Sequence, residues 1–151
     1  MKKIFLTLSL TITIAVSSVL AFTPVDPDPD VEESFKKEFP GAQSVSWAAQ
    51  EGFQKATFIL AGHRMIAYFD QKDELVGCVR DIFFDQLPIT VMKALDKKFA
   101  NADFSEVREL SNGEGTSYLV TVDQDHKKYK VRLAPDGNFT GVEKVTAKKV
   151  K

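Results

Sequence analysis

Cysteine is nearly absent: Cys78 is the single one in 151 residues. An intramolecular disulfide is thereby excluded, so the fold must rest on an apolar core. Cys78, within Val76-Gly77-Cys78-Val79, reads as a small sheet residue with no thiol-activating pattern around it; a disulfide-linked dimer is the other use open to it. Histidine is as scarce, with His63 and His126 the only two. Neither has a Cys, His or Glu at a recognised ligand spacing, so both read as exposed turn residues and no metal site is expected. No Gly-x-Ser-x-Gly elbow and no glycine pattern that cradles phosphate occurs, which removes those signatures of hydrolases and nucleotide binders. Asp70, Asp73, Asp123, Asp125 and Asp136 sit in turn sequences, where carboxylates stabilise the turn without catalysis. No catalytic residue and no cofactor are implied. An excess of one charge is also missing: 20 Lys+Arg against 21 Asp+Glu recruits neither nucleic acid nor an anionic membrane.

Long apolar runs are confined to the N-terminus. Lys2 and Lys3 precede an apolar stretch from Ile4 to Val16, then small residues and Val19-Leu20-Ala21. That order is the one a secretory signal peptide needs, with cleavage placed after Ala21. A retained anchor is the alternative, but Thr11, Thr13, Ser17 and Ser18 interrupt the run of about 20 apolar residues that a spanning helix requires. A lipidated cysteine at the cut is ruled out by the position of Cys78. Residues 1–21 therefore read as a signal peptide, and the protein as periplasmic or secreted, without a membrane association after cleavage. Residues 22–30 alternate proline with aspartate and read as an extended, solvated leader. Asp26, Asp28 and Asp30 imitate the start of a calcium loop, but its sixth and twelfth positions hold Val31 and Lys37, and the spacing fails.

What the chain does have is an echo of itself. Phe35-Lys-Lys-Glu-Phe39 returns as Leu95-Asp-Lys-Lys-Phe99, and such internal similarity bears on the whole architecture. The first copy carries Val31, Phe35 and Phe39 on one helical face, with Asp30 and Glu33 as a capping box and Pro40-Gly41 as the stop. The second carries Val91, Leu95 and Phe99, with Pro88 in the first turn. Strand-like runs follow each: 44–48, 53–60, 64–69 and 75–82, then 104–110, 117–123, 127–134 and 139–145, separated by short Gly-, Asp- and Asn-rich turns that force antiparallel pairing. These runs predict one α+β domain over residues 31–146, a tandem repeat (31–82 and 86–146) of one helix packed on an antiparallel, roughly four-stranded sheet. A basic tail, 147–151, closes the chain.

Alternation assigns the faces. Tyr118, Val120, Val122, Tyr129, Val131 and Leu133 point at the helices, as do Ala56, Phe58, Leu60, Met65, Ala67 and Phe69. The opposite face then holds Lys55, Ile59, Arg64, Ile66, Tyr68, Arg80, Leu119, Lys128, Lys130 and Arg132, with Thr57, Val76 and Cys78 among them. Trp47 reads as a core residue, with a binding anchor as the alternative, and Phe83-Phe84 as cover for the junction of the halves. A basic rim around aliphatic and aromatic groups suits a protein ligand with acidic side chains, since charge steers the encounter and apolar burial supplies affinity.

The order helix, Phe39-Pro40-Gly41-Ala42, Val45-Ser-Trp47, a hairpin with Phe53 and Phe58, Tyr68-Phe69-Asp70, and Leu87-Pro88 opening a second helix resembles the PepSY-like family of β-lactamase-inhibitor-like exported proteins. The resemblance spans about residues 31–146 and rests on structural motifs. Lys72-Asp73 departs from the family's aspartate-glycine turn, and Val107 stands where a second tryptophan would answer Trp47. The resemblance implies an exported, non-enzymatic binding module, or an inhibitor, whose partner is another protein of the cell envelope. The rival reading is a periplasmic carrier or sensor of a small anionic ligand held in a cleft between sheet and helices; an enzyme is the third.

Overall fold

The computed structural model describes residues 24–145; the expected signal peptide and basic tail lie outside the described residues. The order is α1 (Pro29–Glu38), β1 (Gln43–Gln50), β2 (Phe53–Leu60), β3 (His63–Phe69), β4 (Leu75–Asp81), a 3₁₀ turn at Phe84–Gln86, α2 (Ile89–Lys98), β5 (Asp103–Asn112), β6 (Gly115–Gln124), β7 (Lys127–Leu133) and β8 (Phe139–Val145). Among the described residues no helix is long and apolar enough to cross a membrane.

Each helix is short and is stabilised by what lies beneath it rather than by its own propensity. α1 starts two residues earlier than the capping-box pattern predicts, because Pro29, which lacks an N–H to leave unsatisfied, takes the first helical position. Asp28 is the N-cap without a side-chain cap bond. Its carboxylate instead accepts from Gln54 Nε2 at 2.6 Å, and its backbone N–H donates to Gln54 Oε1 at 3.1 Å. The leader is therefore tied to β2 at this point. Pro24 also bridges to Ala48 on the outer edge of β1, and Val25 N–H donates to the Trp47 carbonyl at 3.4 Å.

The expected tandem repeat of a helix on a four-stranded sheet is corrected by the strand pairing. Among the described residues, eight strands form one antiparallel sheet in the order β1-β2-β3-β4-β5-β6-β7-β8, and the described residues are mostly sheet with two α-helices. The decisive contact is β4 with β5, paired from Gly77↔Asn112 to Asp81↔Arg108 and extended by Ile82 N–H to the Val107 carbonyl at 3.0 Å. Two separate sheets would leave a row of unpaired backbone groups on each of these strands, and pairing them removes both edges.

Both helices lie on the same face. Met65, Arg80, Glu109 and Tyr118 are successive cross-strand partners from β3 to β6, so they share that face and link its two cores. Under α1, Val31 and Phe35 pack with Ala56, Phe58, Ala67 and Phe69, with Phe39, Trp47, Leu60 and Met65 around them. This core is aromatic: the Phe35 ring stands edge-on to Trp47 at 5.2 Å and to Phe58 at 4.9 Å. Under α2, Val91, Leu95 and Phe99 pack with Val107, Tyr118, Val120, Val122, Val131 and Leu133. The inward faces assigned by alternation on β2, β3, β6 and β7 are these same residues. Phe84 stacks on Phe104 at 4.8 Å, whereas Phe83, expected to pack, is 72% exposed. Its N–H donates to Gln86 Oε1 at 2.8 Å, and that turn holds its ring outside the core.

Candidate protein-binding face

The face opposite the helices is read row by row from the strand register, because directly opposed residues project to the same side. One row runs Ile59, Arg64, Asp81, Arg108, Leu119 and Arg132, with Arg64 and Asp81 joined by an ion pair across β3 and β4. The next runs Ser46, Thr57, Ile66, Val79, Leu110 and Ser117. A third holds Ala48, Lys55, Tyr68, Gly77 and Asn112. Towards the far edge, Thr121, Lys130 and Glu143 are opposed, as are Asp123, Lys128 and Val145.

Nine of the ten sequence-predicted residues are brought together here: Lys55, Ile59, Arg64, Ile66, Tyr68, Leu119, Lys128, Lys130 and Arg132. Arg80 is the exception and is corrected to the helix side, opposite Met65 and Glu109. Its guanidinium lies 2.9 Å from Glu109 Oε1, and Glu109 also accepts from the Tyr118 hydroxyl at 3.4 Å. Cys78 moves with it, since Cys78 opposes Ala67. The cause is a bulge: Tyr68 opposes Gly77 while Phe69 opposes Leu75, so the alternation entering β4 slips by one residue.

That slip carries Val79 and Asp81 onto the open face, where Asp81 meets Arg108 of β5, and sequence reasoning missed all three. Asp81 is the hinge of the electrostatics. Its Oδ2 lies 3.4 Å from Arg64 Nη1 and its Oδ1 3.2 Å from Arg108 Nε, so one carboxylate stands between two guanidiniums. The alternate sets Val76/Cys78/Arg80 and Gly77/Val79/Asp81 each mix apolar and charged residues, and β4 therefore carried no pattern that distinguished its sides.

Burial and charge interact on this face. Ile66 and Val79 are only 9% and 8% exposed although they lie on the face opposite the helices. Burial pushes the Tyr68 hydroxyl above its ordinary pKa, and the charges of Arg108 and Arg64 partly offset that rise. Burial, followed by the charge of Arg64, lowers Lys55. Farther along, Thr121 is 4% exposed and donates to Glu106 Oε2 at 3.0 Å, while Lys128 Nζ is 3.6 Å from Asp123. Glu106 reaches that position because the chain bulges there, with φ of 46°.

Elsewhere the chemistry is quiet. His63 Nδ1 lies 3.1 Å from the Asp81 carbonyl, and His126 is in a left-handed turn. Among the described residues no group of three His, Cys, Asp or Glu is arranged to hold a metal ion. Burial pushes the Cys78 thiol up to about 11, against a smaller lowering by Arg80, so the reactive thiolate is scarce at neutral pH.

No family model and no curated protein matches the chain. Solved structures do share the fold. A BLIP-like protein from Bacteroides fragilis is 20% identical with a TM-score of 0.73, covering 84% of this chain and 93% of that one. A protein of Bacteroides eggerthii, provisionally described as periplasmic, is 20% identical with a TM-score of 0.76 and coverages of 81% and 91%. A DUF2874 family protein from Bacteroides ovatus is 25% identical with a TM-score of 0.74 and coverages of 80% and 89%. The chain thus has a BLIP-like fold. The PepSY-like family itself remains a resemblance of the sequence.

Proposed function

We propose that the protein is an exported, non-enzymatic binding module that presents the open face of its sheet to another protein of the cell envelope. The observation that carries this reading is the sidedness of the sheet. Both helices occupy one face, while the other displays Arg64, Arg108, Lys128, Lys130 and Arg132 around Ile59, Tyr68 and Leu119. Long basic side chains steer an acidic partner, and the apolar groups between them supply desolvation once it docks. The BLIP-like description of one structural neighbour supports inhibition of the captured protein as the outcome. Export is supported by the signal-like N-terminus and by the periplasmic description of another. The rival, a small anionic ligand between sheet and helices, is disfavoured because that interface is filled with aromatic and aliphatic side chains.

The test is charge reversal on the face. Lys130→Glu combined with Arg132→Glu is expected to abolish capture of the partner that the unaltered protein crosslinks in the periplasm, with identity established by mass spectrometry. Stability should change by no more than about 1 kcal/mol, as for surface substitutions generally. Lys97→Glu on the exposed side of α2 should leave capture intact. Equal recovery by the double variant removes the open-face proposal.

A further inference from the structure

The two edges of the sheet are closed by different means. β8 carries Glu143 opposite Lys130 on the open face and Lys144 opposite Tyr129 on the helix side, and charged side chains of this kind disfavour addition of a further strand. β1 has no such protection of its own: Gln43–Gln50 is eight residues without a charge or a proline. A register shift between Gln43 and Ser46, with Ser44 at φ of 52°, distorts its first part. The regular stretch that remains, 46–50, is an uncharged edge, the type most prone to pair with another chain.

The leader lies against the middle of that stretch. Pro24 bridges to Ala48, and Val25 N–H donates to the Trp47 carbonyl at 3.4 Å. Three residues on, Asp28 is tied to Gln54 by two hydrogen bonds of 2.6 and 3.1 Å. Gln54 opposes Phe69 on the helix side, so residues 24–28 run along the β1 edge and then over it. Ala48 is 8% exposed although it stands on an edge strand. The chemistry of this segment suits it to end a sheet. Val25 is half-buried and commits its N–H to β1, Pro24 has no N–H to offer a further strand, and Asp26 is exposed beside them. An uncharged edge is thereby replaced by one of proline and aspartate. Among the described residues, one bridge and one long hydrogen bond hold it to β1, so its release costs little.

We propose that the β1 edge is a strand-addition site for a second copy of this chain, and that residues 24–28 are the strap that keeps it closed. Two β1 strands paired antiparallel about a two-fold axis set no like charges opposite one another, because the strand has none. The axis stands normal to the sheet, so two eight-stranded sheets become one with the helices of both copies on the same side. The same operation on β8 brings Glu143 and Lys144 of each copy into the join. The proposal does not depend on the open-face reading above, since Lys130 and Arg132 take no part in it.

The test is sedimentation equilibrium of the exported protein and of a form that begins at Asp26, over about 20–200 μM, where a dimer of micromolar affinity is populated. The unaltered protein is expected to be a monomer, and the shortened form to self-associate at least about tenfold more tightly. Ser46→Lys in the shortened form should restore the monomer, since Ser46 is exposed on β1 and an edge lysine opposes pairing. Val142→Lys on β8 should not. Trp47, the single tryptophan, packs against Phe35 at 5.2 Å, and unchanged emission shows that the α1 core is intact. Where the shortened form loses that emission, Val25→Pro in the whole exported chain takes its place. It removes the N–H donated to Trp47, keeps the tie between Asp28 and Gln54, and should tighten self-association by about threefold or more. A strap-released form that associates no more than the unaltered protein, or whose association is reversed by Val142→Lys instead of Ser46→Lys, overturns the proposal.

Discussion

Phe58 is 1% exposed, with its ring 4.9 Å from Phe35 and 4.8 Å from Phe39. Truncation leaves a cavity that neighbouring rings cannot collapse into, and Phe58→Ala is expected to cost about 3–5 kcal/mol in a urea titration. A loss below about 1 kcal/mol would mean that the ring does not fill this core. Cys78 makes a different kind of prediction. Its folded-state pKa of about 11 lies above the ordinary 9.0, so folding favours the protonated thiol. That contribution is fully present below pH 9 and is lost as pH rises towards 11. Tyr68 and Tyr118 are also raised, chiefly by burial, and act in the same direction, whereas Lys55 is lowered and acts in the opposite one. Subtracting the alkaline profile of Cys78→Ala from that of the unaltered protein isolates the thiol. The difference should amount to about 1–2 kcal/mol between pH 9 and 11, reduced from the full linkage value because the site is partly open. Flat difference profiles would contradict the buried-thiol placement.

At the scale of elements, the turn between β7 and β8 docks on the first turn of α2. Thr90 Oγ1 donates to the Pro135 carbonyl at 2.7 Å. Gly137 has φ of +89°, and a Cβ there would stand 2.7 Å from the Thr90 carbonyl oxygen. Two penalties coincide, left-handed backbone and a clash with main chain that cannot swing away, so Gly137→Ala should destabilise by about 2–4 kcal/mol. Thr90→Val, which removes only the hydrogen bond, should cost about 1 kcal/mol. Thermal unfolding that ranks the two in the reverse order would show the turn free of the helix. This close approach explains why a glycine follows Asp136 while the turn after β3 accommodates Asp73 at φ of 62°: the latter turn is closed by its own bonds, with Asp70 Oδ1 accepting from the N–H groups of Lys72 and Glu74.

For the molecule as a whole, the consequence of one sheet is one continuous open surface. On the reading proposed above, the partner lies across β2 to β7 without crossing a seam, touching Lys55 and Arg132 at once. Such a complex should weaken with rising salt, because most of the cations involved are at least partly exposed and their steering is screened within about 8 Å at physiological ionic strength. The exposed β8 edge limits the surface on one side. On the other, the Pro24–Ala48 bridge covers the edge of β1 at that point.

Local periodicity determined the two helical stripes, the turn positions and the inward faces of β2, β3, β6 and β7, because each depends on side chains a few residues apart that share a core. It also placed Lys55, Arg64, Lys128, Lys130 and Arg132 on a common side. The union of the strands into one sheet, the transfer of Arg80 to the helix side, and the pairing of Asp81 with Arg64 and Arg108 were decided by tertiary structure alone. All three follow from the join of β4 to β5 and from a bulge that shifts register by one residue. Such long-range hydrogen bonding leaves no trace in a strand whose alternate residues are equally apolar and equally charged.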